Sequence, residues 1–338
     1  MIKRDVVLAG DLRGYSWESI MHTQHYLSQQ GIEARVVNLG CSTFADKESK
    51  PILEGEIKGA KVFYWNDQML HPDSWRVRSQ DAFATLRDYG AKTIDYVAPY
   101  LHLSRQDKKR YKAEKGKKVP KTISTAKNYA KQIRDLIDGV ITLDLHSPRI
   151  KTYYPGKYFL DLQSSYLFAD YLLKTEKHLD NHLAASTDEG RVGAARLLSE
   201  LTGIGCVFGI KVRDEYGKLK ECCVIGDVLD KIIDIGEDII DTGGTVEKFT
   251  EDVLNKGAKA VNVFAGHGLF NNDAIMKRLY RVKKIVVTNS LKQNDPKVIV
   301  VPCNDLIAGA IKFRLDERDP KDVKEVYSHL IRTNGKAH

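Results

Sequence analysis

The residues with the clearest chemistry form one short run in the second half of the chain. Two acids, Glu237 and Asp238, are followed by a segment of small and polar residues: Asp241, Thr242, Gly243, Gly244 and Thr245. Glycines let backbone N–H groups come close to an anion, threonines add hydroxyl donors, and a following helix adds the positive end of its dipole. Sugar hydroxyls can donate to the two carboxylates upstream. A phosphate site beside a diol site describes a pocket for ribose 5-phosphate.

A simpler interpretation of the same run is a structural loop. Thr245 could cap the following helix, and Asp241 could hydrogen-bond the backbone. Each part of the run taken alone fits this interpretation better. The whole string, placed between a strand and a helix, favours phosphate binding.

Short apolar segments of strand length alternate with longer amphipathic segments, and these are the elements that must position the run. Strands are predicted at 6–9, 62–65, 93–98, 139–143, 207–210, 231–235, 260–264, 285–287 and 298–301. Helices are predicted at 17–29, 82–89, 123–137, 160–174, 191–201 and 246–256, the last ending before Gly257. Such alternation predicts an α/β fold with parallel sheets covered by helices on both faces. Ligands of such sheets bind at the carboxyl ends of the strands.

The alternation of strands and helices runs twice along the chain. We therefore predict two tandem domains, residues 1–155 and 156–312, each a mostly parallel sheet flanked by helices. A polar C-terminal tail, 313–338, follows, and its stretch after Asp319 is predicted to be a helix that frays. The segment 107–121, DKKRYKAEKGKKVPK, has no apolar periodicity and is predicted to be an exposed, mobile loop. It is either a solvated linker or a funnel that draws in anionic substrates.

Composition narrows the class of protein. The 338 residues include five cysteines, an odd number without a CxxC motif, so we expect neither a disulfide framework nor a zinc site but a reducing cytoplasm. No apolar run of membrane-spanning length or signal peptide is present. The formal charge of +8 would attract nucleic acid, an acidic membrane or a phosphorylated metabolite. No nucleic-acid-binding motif accompanies it, and phosphate ligands are sufficient to explain the charge.

The run from Glu237 to Thr245 resembles the signature for phosphoribosyl diphosphate (PRPP) shared by type I phosphoribosyltransferases and ribose-phosphate diphosphokinases. That signature usually has two aspartates, where this chain has Glu237 and then Asp238. The glutamate reaches one methylene further, which keeps a hydroxyl contact within reach.

Other segments, in the same order, resemble landmarks of the diphosphokinase family. They are Phe44–Glu48, Arg105-Gln106-Asp107, Asp144-Leu145-His146, Ser186–Gly190, Lys211-Val212-Arg213, Gly226-Asp227-Val228, His267-Gly268 and Thr288-Asn289. In the turn from Ser186, Thr187 stands where the family has proline, and Arg191 stands where it has a second glycine. The resemblance spans roughly residues 35 to 312, whereas plain phosphoribosyltransferases generally have one domain.

The resemblance implies two phosphoribosyltransferase-like domains, the first binding ATP and the second ribose 5-phosphate. It implies a transfer of the diphosphoryl group of ATP to that sugar, assisted by Mg²⁺. The implied ATP-binding residues are Phe44, Asp46, Glu48, Arg105, Gln106, Asp107 and His146. The implied sugar-binding residues are Asp188, Glu237, Asp238 and the segment from Asp241 to Thr245. His146 and Asp188 would lie beside the metal, and Lys211 and Arg213 would be catalytic.

The family also implies partners and regulation. Its adenine loop acts across a subunit interface, so we expect a homo-oligomer, a dimer or a hexamer, with neither nucleic acid nor membrane as partner. Polar residues after the Asp-Leu-His segment often bind regulatory phosphate and ADP, and here that stretch is Pro148-Arg149-Ile150-Lys151. Phosphate activation and ADP inhibition are therefore expected to be altered or missing.

Two further interpretations remain open. One is a regulatory paralogue with the same fold and no activity, although such proteins usually lose the loop cations or metal-site acids retained here. The other is a salvage phosphoribosyltransferase, which would consume PRPP and would need a nucleobase pocket.

Overall fold

A computed structural model describes residues 5–46, 48–114, 117–187, 189–213, 219–270 and 274–328. Only the backbone is described for 110–114, 117–121, 210–213, 219–223, 274 and 322. The chain forms two compact units. Unit 1 comprises Met1–Leu162 and Asn304–Val326, and unit 2 comprises Gln163–Cys303 and Tyr327–His338. This division differs from two contiguous domains, because the helix that starts at Asn304 packs with unit 1.

Unit 1 is built on a seven-stranded sheet, in which every neighbouring pair except β2 and β3 is parallel. Its strands are β1 (Val6–Gly10), β2 (Ala34–Thr43), β3 (Ser49–Glu54), β4 (Lys61–Trp65), β5 (Thr93–Ala98), β8 (Gly139–Leu143) and β9 (Tyr158–Leu162), in the order β3-β2-β1-β4-β5-β8-β9. A separate hairpin consists of β6 (Arg110–Glu114) and β7 (Lys117–Thr122). The helices are α1 (Trp17–Gln29), α2 (Pro72–Asp88), α3 (Thr125–Ile133) and, from the end of the chain, α8 (Asn304–Leu315).

Unit 2 repeats this plan with the strand order β12-β11-β10-β13-β14-β15-β16. Its strands are β10 (His182–Ser186), β11 (Gly205–Arg213), β12 (Leu219–Ile225), β13 (Ile232–Ile240), β14 (Ala260–Gly268), β15 (Lys284–Thr288) and β16 (Val298–Val301). The helices are α4 (Ser165–Thr175), α5 (Val192–Thr202), α6 (Gly244–Asn255) and α7 (Ala274–Arg278). In both units an antiparallel hairpin forms one edge of an otherwise parallel sheet. The predicted α/β architecture with two mostly parallel sheets is confirmed.

Strand β13 shows how the sequence positions the candidate site. Successive side chains of a strand point to opposite faces of the sheet. Ile233 and Ile235 belong to the apolar core that includes Phe249 of α6. Gly236 faces the other way, since a Cβ built there would lie 3.8 Å from the Cβ of Ala194 in α5. By this alternation Glu237 lies on the α6 face of the sheet, and Asp238 lies on the α5 face.

Several sequence-based predictions of local structure were wrong. The segment 107–121 is not an irregular loop, since β6 and β7 pair in an antiparallel hairpin within it. A hairpin held by backbone hydrogen bonds needs no apolar face, so hydrophobic periodicity could not reveal it. The predicted helix from Leu160 begins instead at Ser165, because Leu160 lies in β9, which pairs with β8. The final strand residues of β13 extend to Ile240 rather than Ile235.

The C-terminal segment contains the helical stretch that the sequence predicts, and part of this stretch is buried. A 3-10 helix spans Pro320–Tyr327, and the ring of Tyr327 is buried. This ring stacks on Tyr166 with centroids 3.6 Å apart, and its hydroxyl accepts a hydrogen bond of 2.8 Å from the backbone N–H of Gln163. Residues 329–338 lie outside the described part of the chain. Among the described residues, no helix combines the length and the apolar character needed to cross a bilayer.

Candidate active site

The turn between β13 and α6 has the strand–turn–helix geometry that the sequence predicts. Gly243 is the N-cap of α6 and has a φ of 73°, a left-handed conformation that residues with a side chain rarely adopt. The backbone N–H of Glu247 donates to the carbonyl of Gly243 at 2.8 Å, which closes the first turn of the helix. The remaining N–H groups of this helix start, together with the dipole of α6, form a site suited to an anion.

Arg278 adds a positive charge beside this turn, and the sequence analysis missed it. Its Nη1 atom donates to the carbonyl of Thr242 at 3.1 Å, and its Nε lies 4.0 Å from a carboxylate oxygen of Glu247. The contact joins residues 36 positions apart through α7, and no motif in the sequence marks it. We regard Arg278 as a candidate phosphate contact because it reaches the same turn as the helix N–H groups.

The two acids of the motif are each held by a residue from the connection between β10 and α5. The hydroxyl of Thr187 donates to the carboxylate of Glu237, and the guanidinium of Arg191 forms an ion pair with Asp238. Asp238 is buried, with 6% of its surface exposed, whereas Glu237 is half-buried. The two acids therefore lie within β13 rather than after it, and Glu237 is the more accessible of the two. Asp188, in the same connection, lies outside the described residues.

The segments around His267 and Thr288 form a buried scaffold at the carboxyl ends of β14 and β15. The Nδ1 atom of His267 lies 2.7 Å from the hydroxyl of Ser290, which also donates to the carbonyl of Gly266 at 3.1 Å. The hydroxyl of Thr288 donates to the same carbonyl at 2.6 Å. These bonds fix the strand ends next to β13, so we assign these landmarks a structural role.

In unit 1 the segment Arg105-Gln106-Asp107 follows β5 and is fixed through its backbone. The hydroxyl of Ser124, the N-cap of α3, lies 3.2 Å from the carbonyl of Gln106 and 3.0 Å from that of Asp107. The hydroxyl of Tyr153 also donates to the carbonyl of Asp107. With the backbone held, the side chain of Arg105 is exposed and those of Gln106 and Asp107 are half-buried. The backbone of the segment is thus fixed, and none of the three side chains is fully buried.

His146 lies at the carboxyl end of β8, next to a strained turn. Asp144 has a φ of 45°, and its backbone N–H donates to the carbonyl of Leu162 at 2.8 Å. The backbone N–H of Leu145 donates to the carboxylate of Asp161 at 3.1 Å. These bonds direct the following residue, His146, whose side chain is exposed.

The turn between β2 and β3 presents Phe44 to solvent, with 52% of its surface exposed. The backbone N–H of Phe44 donates to the carbonyl of Glu48, and the N–H of Glu48 donates to the carboxylate of Asp46, both at 3.0 Å. The ammonium of Lys50 lies 5.3 Å from the centre of the ring. A small turn that holds an open aromatic ring fits stacking on a planar base.

Lys211 and Arg213 lie at the end of β11, which pairs with β12 in the edge hairpin of unit 2. Residues two apart in a regular strand share a face, but the register shifts between Val212 and Arg213. Their side chains are outside the described part of the structure. From their spacing of two residues we predict that both cations point to one side of the strand.

The donor groups of the described residues were compared with what Mg²⁺ requires. Within the described ranges no group of three or more His, Cys, Asp or Glu side chains is arranged to hold a metal ion. Mg²⁺ is commonly bound by one or two carboxylates together with substrate phosphates and water. In unit 2, the half-buried carboxylate of Glu237 fits a cation held chiefly by its substrates. Asp188 stays a predicted contact.

Burial has a consequence for His102, which precedes the Arg105 segment. This side chain packs against Trp75 and Tyr100, and its Nε2–H donates to the carbonyl of Gln68 at 3.1 Å. Burial lowers its pKa from 6.5 to about 4. Between pH 6.5 and about pH 4, His102 therefore binds a proton in the unfolded chain but not in the folded chain. The free energy of unfolding thus decreases as pH falls through this range.

We therefore expect His102 to make unit 1 acid-sensitive. We compare the free energy of unfolding of the wild type with that of His102→Gln. As pH is lowered from 7 to 4, the wild type should lose up to about 3 kcal/mol more than the variant. Urea unfolding of both proteins at several pH values would measure this difference. A difference independent of pH would contradict the buried, neutral state of His102.

Comparisons with known proteins show which proteins the chain resembles. Residues 23–132 match the N-terminal domain of ribose phosphate pyrophosphokinase. The ribose-phosphate pyrophosphokinase of Helicobacter hepaticus is 34% identical over 274 residues, covering 80% of this chain and 85% of the relative. That of Aquifex aeolicus is 31% identical over 292 residues, covering 82% of this chain and 88% of the relative.

A solved structure has the same fold over most of the chain. The crystal structure of phosphoribosylpyrophosphate synthetase from Mycobacterium smegmatis has a TM-score of 0.75 with 23% identity. It covers 93% of this chain and 100% of that chain. On the strength of the sequence relatives, this chain belongs to the ribose-phosphate pyrophosphokinase family, the diphosphokinase family that its motifs resemble.

Proposed function

We propose that this protein is a ribose-phosphate diphosphokinase that converts ATP and ribose 5-phosphate into AMP and 5-phosphoribosyl 1-diphosphate. The observation that carries the proposal is the turn between β13 and α6, with accessible Glu237 beside a helix start. Family membership supports it, since its relatives bear the name of this enzyme. Nucleotide and sugar phosphate are accordingly the two substrates. A cytoplasmic homo-oligomer, a dimer or a hexamer, is part of the proposal.

The sugar phosphate is assigned to unit 2. The segment from Asp241 to Thr245 would bind the 5-phosphate through backbone N–H and hydroxyl donors, with Arg278 beside it. Glu237 and Asp238 would accept hydrogen bonds from the ribose 2- and 3-hydroxyls. Asp188 would lie near the ribose and its associated cation. Each contact orients the 1-hydroxyl, which is the nucleophile.

The nucleotide is assigned to unit 1. Phe44 would stack on adenine, with Asp46 and Glu48 shaping its turn. Arg105, Gln106 and Asp107 would bind the phosphates and the adenine edge, and His146 would lie beside the phosphates. In this family the Phe44 turn serves a neighbouring subunit, which is why an oligomer is proposed.

The reaction is an attack by the ribose 1-hydroxyl on the β-phosphorus of ATP, with AMP as the leaving group. Such transfers depend on positioning and charge neutralisation. Bound Mg²⁺ would supply Lewis-acid neutralisation of the phosphate oxygens. Lys211 and Arg213 would stabilise the charge that develops on the transferred group, and closure of their hairpin would exclude water.

An assay of AMP release from Mg-ATP, with and without ribose 5-phosphate, tests the function directly. Sugar-dependent AMP with PRPP as product is expected. AMP release that is absent at every metal, phosphate and nucleotide concentration tried would favour the silent paralogue. Consumption of PRPP with a nucleobase would favour a salvage phosphoribosyltransferase.

The hairpin β6–β7 supports a prediction about substrate capture. The stretch from Lys108 to Lys121 contains seven lysines, and a concentrated basic field raises the rate of encounter with anions. Replacing these lysines with glutamine is expected to lower kcat/KM by about tenfold at low salt, and by much less at high salt. Kinetics over a range of ionic strengths would measure this effect.

The matched control neutralises exposed lysines of unit 2, namely Lys248, Lys256 and Lys259. This control is expected to keep most of the salt dependence of the wild type. If the hairpin variant shows the same salt dependence as the wild type, the hairpin is a solvated connection and not a funnel.

A further inference from the structure

The connection between β10 and α5 joins these two elements and also contacts both acids of the motif in β13. Thr187, at its start, donates its hydroxyl to Glu237, although 50 residues separate the two in sequence. Arg191, at its end, is the N-cap of α5 and forms an ion pair with Asp238. These are the two positions at which the chain departs from the turn pattern that it resembles. Each departure thus contacts one of the two motif acids.

The two acids of this subsite favour a positive charge close to them, in addition to that of Arg278 beside the phosphate turn. Glu237 and Asp238 bring two adjacent carboxylates, and a sugar phosphate brings a further charge of about −1.5 to −2. Repulsion among these groups is strong where the surroundings are poor in water, and Asp238 is buried. Arg191 lies there with only 18% of its side chain exposed. A guanidinium stays protonated at any physiological pH, and its charge does not depend on the concentration of divalent ions.

The ion pair with Arg191 is compatible with a further hydrogen bond to Asp238. A carboxylate offers about four acceptor positions, and a guanidinium carries five donors, so one ion pair does not saturate either group. Arg191 reaches Asp238 from the α5 face of the sheet, the face on which the alternation of β13 places this acid. The phosphate turn lies on the other side, at the start of α6. Arg191 therefore fixes the direction of the Asp238 carboxylate without occupying the turn.

We propose that Arg191 is a positioning residue of the sugar-phosphate subsite: it orients Asp238 and supplies a fixed positive charge that lets ribose 5-phosphate bind without a divalent cation. The hydroxyl of Thr187 assists by orienting Glu237. The proposal rests on the proposed function, since it takes ribose 5-phosphate as the ligand of this subsite.

Calorimetric titration of the full-length protein with ribose 5-phosphate, in EDTA and in Mg²⁺, tests the proposal. For the wild type, the dissociation constant in EDTA should be within about threefold of that in Mg²⁺. Arg191→Ala should weaken binding in EDTA by about tenfold or more, and Mg²⁺ should restore part of this loss. Arg191→Lys, which keeps the charge, should retain most of the EDTA affinity. Lys248→Ala removes one exposed charge from α6 of the same unit and should behave as the wild type.

The titrations give different results if the role of Arg191 is wrong and if the assignment of the sugar site is wrong. Equal affinities of wild type and Arg191→Ala in both buffers would overturn the role of Arg191 alone. Tighter binding by Arg191→Ala would also overturn it, because the ion pair would then obstruct the subsite. A wild type that binds no ribose 5-phosphate in either buffer would overturn the assignment of the sugar site, and this proposal with it. Should Arg191→Ala not fold, Arg191→Gln, which keeps hydrogen-bond donors without the charge, provides the same comparison.

Discussion

Lys211→Ala and Arg213→Ala are each expected to lower kcat on the order of 10²–10³, by analogy with the loss of one donor to a developing oxyanion. Both residues end β11, and the hairpin β11–β12 forms the edge of the sheet beside β10. A cation that acts only on the charge of the transition state changes kcat and not the affinity for the ground state. Titration with ribose 5-phosphate should therefore give nearly the same dissociation constant for both variants and the wild type.

The control for these variants is Lys259→Ala, which removes an exposed lysine just before β14 begins. This position is at the amino end of the parallel strands, away from the ends where ligands bind. Full turnover by either Lys211→Ala or Arg213→Ala would remove that residue from the mechanism. A variant with a raised dissociation constant and an unchanged kcat would show that its cation binds substrate rather than the transition state.

The repeated strand order explains why two unlike motifs are assigned to the same reaction. The β2–β3 turn, with Phe44, and the β11–β12 turn, with Lys211 and Arg213 before it, are the equivalent edge hairpins of units 1 and 2. In the first hairpin the chain places an exposed aromatic ring, and in the second it places two cations. Under the proposed function, one architectural position would serve base stacking in one unit and charge stabilisation in the other. Sequence comparison of the two halves does not reveal this relation, since the residues differ.

Much of the fold could be predicted from local patterns. The helix Trp17–Gln29 and the strands Thr93–Ala98, Gly139–Leu143 and Val298–Val301 have the predicted bounds, because each is a well-defined apolar or amphipathic run. Strands β2, β3, β9, β10 and β12 and the hairpin β6–β7 were not predicted. Strand β3 has no fully buried residue and is stabilised mainly by backbone pairing with β2, which leaves no periodic signal.

Part of the candidate site could also be predicted from local patterns, and part could not. The turn before α6 could be predicted because glycine and threonine have specific uses at a phosphate-binding helix start. The contacts of Arg191 and Arg278 could not be predicted from the sequence, because a single arginine is usually a solvated surface residue. Their contacts with Asp238 and Thr242 depend on how β10 and α7 pack beside β13. Tertiary packing, which no local pattern encodes, selects these two arginines.

Asp234→Ala is expected to lower the stability of unit 2 by about 3 kcal/mol. Asp234 is fully buried in β13, where its carboxylate lies 2.6 Å from Nδ1 of His182 and accepts from the side-chain amide of Asn262 at 2.8 Å. Truncation leaves both of these buried groups without their acceptor, and water cannot easily replace it. Hydrogen exchange of the β13 amides would measure the loss as a smaller free energy of opening.

A second expected property of Asp234→Ala follows from where the hydrogen bonds of Asp234 with His182 and Asn262 lie in the strand. Asp234 lies near the start of β13, whereas Glu237 and the phosphate turn lie at its end. At temperatures below those at which Asp234→Ala unfolds, its kcat and its affinity for ribose 5-phosphate are therefore expected to stay close to those of the wild type. Asp234→Asn, which keeps one acceptor oxygen, should lose less stability, and Glu251→Ala, on the exposed face of α6, should lose almost none. A fall in kcat without a fall in stability would show instead that the buried network is coupled to the chemistry at the other end of the strand.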